Sequence, residues 1–207
     1  MAFSAFTSLD DVLRKYQIRH RKQTFVGTGP FPPPSEYYLS EIKFSFDAQA
    51  FQRSEAFACE ALIYPTLREA WRHYREQLSF FSHETVHADD DLRGELDYMV
   101  CRRSPLSPYL PDQPILLVGE AKRDDMQKGW AQALAGMMAA RRMAPPPGPV
   151  LYGLSTTGVM WSFGKLDGND FTEDPEGFSV TRPDELFGAL HFVFAACRDQ
   201  LAANPAV

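Results

Sequence analysis

The apolar run Ile115–Gly119 is the feature that most constrains how this chain of 207 residues can fold. Its residues are mostly branched and none is polar, which is typical of a strand that is buried on both faces. A strand of this kind needs a layer of structure on each side of its sheet. Glu120 and Lys122 follow directly, and we therefore expect them at the end of a buried strand.

The remaining segments alternate between helical and extended patterns. We predict helices over 8–22, 54–77, 126–143 and 184–203, and further strands over 37–46, 79–87, 94–102, 150–155 and 159–166. Pro65 should kink or split the second helix, and 164–176 is predicted to be an acidic loop. This order of elements predicts a single α/β domain, with a central mixed β-sheet flanked by helices on both faces.

The predicted elements divide the chain into three parts. Residues 1–53 hold the N-terminal helix, a proline-rich connection and a strand extension. Residues 54–166 form the core, and 167–207 hold the acidic loop and a C-terminal helix that packs on the core. We see no second hydrophobic core and no internal repeat, so we expect the three parts to fold as one unit.

The distribution of charge bears on the choice of partner. The net charge is −6, and the segment from Leu166 onwards carries eight acidic and two basic residues, so residues 1–165 are neutral overall. Two basic clusters lie within that neutral part: Arg14, Lys15, Arg19, Arg21 and Lys22, and then Arg68, Arg72 and Arg75. Any affinity for nucleic acid should therefore be local and sensitive to salt, or should depend on a partner.

The sequence shows no pattern typical of a signal peptide or of a transmembrane helix. No apolar run approaches 18 residues, and the N-terminus lacks a basic leader followed by an apolar core. The three cysteines show no CxxC spacing, which favours a reduced protein without a disulfide framework. We therefore expect a cytoplasmic protein that does not associate with membranes.

Two charged motifs fall on strands that the pattern places near each other. Asp97 lies early in the strand 94–102, and Glu120 and Lys122 share a face because side chains two apart on a strand point the same way. If the two strands are neighbours, two carboxylates and one amine converge. Carboxylates so close together repel each other unless a cation neutralises them, and oxygen ligands favour Mg²⁺ or Mn²⁺.

Two further residues fit this arrangement. Glu60 is predicted on the apolar face of the helix 54–77, where an unpaired carboxylate is costly unless a metal-bound water or a lysine compensates it. Gln132 lies on a stripe of small residues that would let its helix approach the sheet closely and bring the amide toward the strand ends. That stripe consists of Gly129, Ala133, Gly136 and Ala140.

These residues, in this order, resemble the restriction-endonuclease-like PD-(D/E)XK nuclease superfamily over roughly Ser54 to Leu166. The matching elements are the helix with Glu60 and Pro65, GELDYMV with Asp97, LLVGEAK with Glu120 and Lys122, KGWAQALAGMMAA with Gln132, and the strand pair LYGLSTTGVMWSF. Leu96 stands where the motif that names the superfamily has proline, a residue that supplies no ligand. Gly136 stands where some exonuclease-type members carry tyrosine.

The resemblance implies the restriction-endonuclease-like three-layer fold and metal-dependent hydrolysis of phosphodiester bonds. Asp97 and Glu120 would bind Mg²⁺ or Mn²⁺, with Glu60 reaching the metal through a water, and Lys122 would serve the attacking water. Glu60 and Gln132 would be accessory catalytic residues. DNA is the expected substrate and RNA the alternative, while a homodimer or a protein partner stays open, as does the choice between endonuclease and exonuclease.

Two other functions compete with this hypothesis. A catalytically inactive module that binds nucleic acid or protein could use the same fold. His83-Glu84-Thr85-Val86-His87 also matches the HExxH pattern of zinc proteases, which requires both histidines on one helical turn. The β-branched Thr85 and Val86 favour a strand here, so we predict that His83 and His87 lie on or beside a strand and bind no zinc.

Overall fold

The computed structural model describes residues 3–27, 29–48 and 50–203. Its α-helices are α1 (Leu9–Tyr16), α2 (Glu36–Ala48), α3 (Glu55–Ala58), α4 (Tyr64–Trp71), α5 (Met126–Met143) and α6 (Pro183–Ala203). Its strands are β1 (Arg19–Lys22), β2 (Leu78–His87), β3 (Arg93–Arg103), β4 (Pro111–Ala121), β5 (Leu151–Thr156), β6 (Met160–Asp167), β7 (Asp170–Glu173) and β8 (Phe178–Ser179). Short 3₁₀ turns cover Phe3–Ala5 and Ala50–Gln52, and a π-helical turn covers Cys59–Ile63.

Within the described residues, the strands form one mixed sheet in the order β1-β7-β6-β5-β4-β3-β2, with β8 paired to β6. The pairs β4–β5 and β1–β7 are parallel, and the others are antiparallel. Strand β4 lies inside the sheet, and its apolar run is completely or almost completely buried. The predicted doubly buried strand is therefore confirmed and extends further in both directions.

Helices cover both faces of this sheet. Helices α1 and α5 pack on one face against Leu96, Met99 and Val118, whereas α2, α3, α4 and α6 pack on the other against Tyr98, Leu117 and other core residues. This confirms the predicted fold class, a single α/β domain with a central mixed sheet between helical layers. In the described part of the chain, no helix is both long enough and apolar enough to cross a membrane.

The predicted strand over 37–46 is wrong, because this segment forms helix α2. Tyr38 and Ile42, which are buried, are four residues apart and therefore share a helical face. Phe44, which would share a strand face with Ile42, is exposed. The Ser35 hydroxyl accepts a hydrogen bond from the amide of Tyr38, as a helix N-cap does.

The predicted helix over 8–22 is too long. Helix α1 ends at Tyr16, and Gln17 adopts a left-handed conformation with φ of 54°. Residues Arg19–Lys22 then form the edge strand β1, parallel to β7. Since β7 lies within 164–176, the prediction of a loop over that whole range is also wrong.

The predicted helix over 54–77 is split, as Pro65 led us to expect, but in an unexpected way. The π-helical turn separates α3 from α4, and Pro65 lies in the first turn of α4. A π-helical turn has a wider hydrogen-bond spacing than an α-helix. Residues on either side of it therefore do not follow one continuous 3.6-residue pattern.

Candidate active site

Strands β3 and β4 part at the point where the predicted charged residues lie. Their pairing ends at Tyr98 opposite Gly119. Beyond this pair, Oδ2 of Asp97 accepts a hydrogen bond of 2.8 Å from the backbone amide of Ala121. The Asp97 carboxylate therefore accepts a hydrogen bond from β4 beyond the last backbone pair of β3 and β4. It lies directly beside the end of β4.

Oxygen atoms surround the ammonium group of Lys122. Nζ donates to Oε1 of Glu120 at 2.7 Å and to the carbonyl oxygen of Ala121 at 2.6 Å. Oε1 of Glu55 lies 3.6 Å from the same nitrogen. The Lys122 and Glu120 side chains are only 13% and 7% exposed, so this ion pair is largely shielded from water.

The charges of this cluster do not balance. Burial, followed by the neighbouring Asp97 carboxylate, raises the pKa of Glu120 from 4.5 to about 8, although the Lys122 ammonium acts in the opposite direction. Burial also raises the pKa of Asp97. Burial alone would lower the pKa of Lys122, but the surrounding carboxylates, Glu120 foremost, outweigh it and raise that pKa. Glu120, Asp97 and Lys122 thus all hold protons more tightly than usual, as expected for buried groups in a cluster where negative charge is in excess.

This donor set fits a hard divalent cation. Within residues 3–27, 29–48 and 50–203, no three His, Cys, Asp or Glu side chains are arranged to hold a metal by themselves. Asp97 and Glu120 could supply two carboxylates, and Mg²⁺ is commonly bound by one or two carboxylates with water completing its shell. A cation would also offset the cost of burying these two carboxylates and the repulsion that Asp97 adds at Glu120.

The structure brings Asp97, Glu120 and Lys122 together, as the sequence spacing suggested. It places Gln132 on the face of α5 that contacts the sheet, three residues after Gly129 and four before Gly136. A Cβ added at Gly129 would lie 2.2 Å from Oγ of Ser155 and 3.5 Å from Cγ of Lys122. Gln132 is buried on this closely packed face, and its backbone lies one turn from the contact with Lys122.

Glu60 does not lie where its helical pattern placed it. The residue is exposed, at the start of the π-helical turn, so its predicted position on an apolar face is wrong. The acidic residue that reaches Lys122 is instead Glu55, whose Oε2 also accepts a hydrogen bond of 3.1 Å from the amide of Arg123. Sequence reasoning missed Glu55 because an acidic residue after the N-cap Ser54 is common in the first turn of a helix.

The HExxH motif lies on strand β2, as predicted. Four residues of extended chain separate His83 from His87 by roughly 13 Å, whereas the zinc-protease pattern requires one helical turn between them. The helix that a zinc protease would need is therefore missing from this segment. That His83 and His87 bind no zinc stays a prediction.

Ion pairs with acidic neighbours neutralise part of the first basic cluster. Arg19 pairs with Asp170, and Lys22 pairs with Glu173, both across the β1–β7 contact. Strand β1 forms one edge of the sheet, whereas β3 and β4 lie near the opposite edge. The part of this cluster on β1 is therefore separated from the site formed by Asp97, Glu120 and Lys122 by three intervening strands, β7, β6 and β5.

Comparison with known proteins adds little to this geometry. Among solved structures, the chain is similar to the type IIG restriction endonuclease BpuSI, with 16% sequence identity and a TM-score of 0.43. The similarity covers 86% of this chain but 19% of that enzyme, so the chain spans about one fifth of its length. No protein-family model and no curated protein matches the chain.

Proposed function

We propose that this protein is a divalent-metal-dependent nuclease that hydrolyses phosphodiester bonds, with DNA as its first substrate and RNA as the alternative. One observation carries the proposal: Asp97, Glu120 and Lys122 converge where β3 and β4 part. This is the arrangement that the sequence resemblance to PD-(D/E)XK nucleases implies. The surplus of negative charge around Lys122 explains why the site would take a cation.

Asp97 and Glu120 would hold the cation, which is Mg²⁺ or Mn²⁺ on the chemistry of these oxygen donors. When bound, such an ion supplies positive charge to phosphate oxygens and makes water more acidic. The carboxylate of Glu55, on the other side of the Lys122 ammonium, helps to fix the position of Nζ. It also ties α3 to the chain leaving β4 through the amide of Arg123.

Lys122 would act as a positive charge and a hydrogen-bond donor. Because its carboxylate neighbours raise its pKa, its amine stays protonated at neutral pH and does not serve as a base. The ammonium can orient the attacking water through a hydrogen bond and stabilise the negative charge that develops on the phosphate. The tight packing of α5 at Gly129 supports the Lys122 stem. Buried on the same face, Gln132 would be an accessory residue there.

A second candidate is a catalytically inactive module on the same fold. It is favoured by the bonding of Lys122, whose Nζ already contacts oxygens of Glu120, Ala121 and Glu55. If this network persists in the presence of substrate, the ammonium is unavailable for phosphate. The domain would then bind nucleic acid or a protein without cleaving it.

The two candidates are separated by a cleavage assay at low salt with Mg²⁺ or Mn²⁺. The substrates are linear, circular and single-stranded DNA, and RNA. We expect the wild type to cleave at least one of them, and Lys122→Ala to be slower by roughly 10²- to 10⁴-fold while still binding Mn²⁺. Asp97→Ala should lose both cleavage and Mn²⁺ binding.

Lys43→Ala is the matched control, because Lys43 is an exposed lysine on α2 that pairs with Asp47. It should cleave like the wild type. Failure of the wild type to cleave any substrate would favour the inactive module. Cleavage that survives unchanged in Lys122→Ala would show that a different site is responsible.

A further inference from the structure

A groove opens beside Asp97, on the side of the sheet that α3 and α4 cover. Its volume is about 290 Å³, and it is lined by Cys59, Glu60, Tyr64, Ser82, His83 and Tyr98. We call it the aromatic groove. Its residue Tyr98 directly follows Asp97 in β3, and the Tyr98 hydroxyl donates to the carbonyl oxygen of Cys59, 3.4 Å away. The groove is adjacent to the candidate active site, because its residue His83 lies directly across from Asp97 on the neighbouring strand.

Aromatic rings form a continuous series along this groove. Tyr64 stacks on Phe80 with ring centres 5.5 Å apart, and Phe80 stacks on Tyr98 at 6.0 Å. The guanidinium of Arg68 lies 5.9 Å from the centre of the Tyr64 ring, at the outer end of the series. Tyr64 is 38% exposed, so part of its surface is free to contact a ligand. Tyr98 is buried, so Tyr64 offers the most exposed ring of the series. An exposed aromatic ring with a nearby arginine is the usual platform for an unpaired nucleobase.

Polar groups line the same groove. The carboxylate of Glu60, the hydroxyl of Ser82 and the imidazole of His83 can hydrogen-bond to the edge of a base. A carboxylate accepts hydrogen bonds from the amino groups of bases but repels phosphate. This chemistry therefore favours a base, rather than a phosphate group, as the occupant.

The backbone at His83 is built unusually. His83 has φ of 56°, a left-handed conformation that is uncommon for residues other than glycine. It interrupts the β2–β3 ladder between the pairs Ser82–Tyr98 and Glu84–Leu96, directly across from Asp97. Nδ1 of His83 lies 3.3 Å from Oε1 of Glu95. Strained backbone of this kind is concentrated at functional sites.

We propose that the aromatic groove binds the base of an unpaired nucleotide next to the phosphate that the active site cleaves. The proposal rests on the proposed nuclease function and gives it a substrate class, namely nucleic acid with a single-stranded segment or a flap. The volume of the groove, close to the lower end of ligand pockets, suits one base rather than a longer stretch.

The test measures binding and cleavage separately. Binding is measured by anisotropy in a chelator, so that no cleavage occurs, with labelled DNA that is either fully duplex or carries a short single-stranded flap. A 2-aminopurine base in the flap reports stacking by its fluorescence. We expect tighter binding of the flap substrate than of the duplex, and quenched 2-aminopurine.

Variants of Tyr64 decide the proposal. Tyr64→Ala should weaken binding of the flap substrate by roughly 5- to 100-fold, which corresponds to about 1–3 kcal/mol, and should restore the fluorescence. Tyr64→Phe should behave like the wild type. Ser82→Tyr, which fills the groove from β2 without changing α4, should reproduce the loss. Tyr109→Ala is the control, since Tyr109 is 85% exposed in the loop at the other end of β3.

Each outcome separates this proposal from the function on which it rests. If Tyr64→Ala and Ser82→Tyr bind the flap substrate as the wild type does, the groove proposal is wrong, even if the protein cleaves DNA. If both variants lose flap binding while the wild type cleaves nothing, the groove is confirmed as a base-binding site and the nuclease function fails. Equal binding of duplex and flap by the wild type would also overturn the groove proposal.

Discussion

Replacing Glu120 by glutamine should stabilise the protein at alkaline pH and change its stability little at pH 5. The Glu120 carboxyl is nearly isosteric with an amide, but its pKa is raised from 4.5 to about 8 by burial and by Asp97. At a pH between these two pKa values, Glu120 keeps its proton in the folded protein but has released it in the unfolded chain. The free energy of unfolding contributed by this group therefore falls as pH rises from 4.5, and the loss is complete above about pH 8.

The size of the effect follows from the interval between the usual pKa of 4.5 and the raised pKa of about 8. Each pH unit corresponds to about 1.4 kcal/mol, so the full interval gives an upper value of about 5 kcal/mol. The pKa of about 8 already includes the opposing effect of the Lys122 ammonium, whose 2.7 Å ion pair with Glu120 would be weakened by glutamine. Lys122 keeps Glu55 as a partner in the variant. We therefore expect Glu120→Gln to gain about 2–4 kcal/mol over the wild type between pH 5 and pH 9.

Urea unfolding of both proteins at pH 5, 7 and 9 measures this difference. Glu76→Gln is the matched control, because it makes the same substitution at a glutamate whose side chain is 71% exposed. A stability difference between Glu120→Gln and the wild type that is the same at pH 5 and pH 9 would refute the reasoning. So would a variant that is less stable than the wild type at pH 9.

Three further predictions follow from the packing and charge of the site. Glu55→Gln should lower kcat by roughly 10-fold or more with little change in KM, because Glu55 positions Lys122. Steady-state kinetics measure this, with Glu76→Gln as the control. A kcat of Glu55→Gln equal to that of the wild type and of Glu76→Gln would contradict the prediction. Gly129→Ala should destabilise the fold by about 1–3 kcal/mol, since its Cβ would overlap Ser155 of the sheet. Gly188→Ala in α6, where a Cβ meets nothing within 4 Å, should stabilise the fold by about 0.5–1 kcal/mol. Denaturant unfolding in which both substitutions change the stability in the same direction would contradict this. Mg²⁺ should raise the Tm of the wild type more at pH 8.5 than at pH 6, because protons on Glu120 compete with the metal below the raised pKa. An increase in Tm that is the same at both pH values would count against metal binding at this carboxylate.

Periodicity was sufficient where an element is long or completely buried. The apolar run Ile115–Gly119 predicts strand β4, and the small-residue stripe of 126–143 predicts helix α5. Both predictions work because burial on one or both faces requires apolar or small residues at regular spacing. The pairing of Asp97 with the end of β4 followed from the same strands. Such predictions succeed because the contacts that decide them repeat along a single element.

Other features depend on contacts that no local pattern records. The strand Arg19–Lys22 exists because β7 lies beside it, although the two are about 150 positions apart in sequence. In 37–46, the spacing of Tyr38 and Ile42 fits a helix as well as a strand, and the N-cap Ser35 was the deciding signal. Glu60 is exposed because the π-helical turn that contains it breaks the 3.6-residue pattern from which its position was predicted.

The most direct measurement is a crystal of the wild type soaked in Mn²⁺, examined by anomalous scattering at the manganese edge. If Asp97 and Glu120 hold the catalytic cation, a peak should lie roughly 2.0–2.3 Å from oxygens of both carboxylates, with waters completing its shell. The same peak should be missing from Asp97→Ala crystals and present in Lys122→Ala crystals. A wild-type protein that cleaves DNA in Mn²⁺ but shows its manganese peak elsewhere, or none between these two carboxylates, would contradict the assignment.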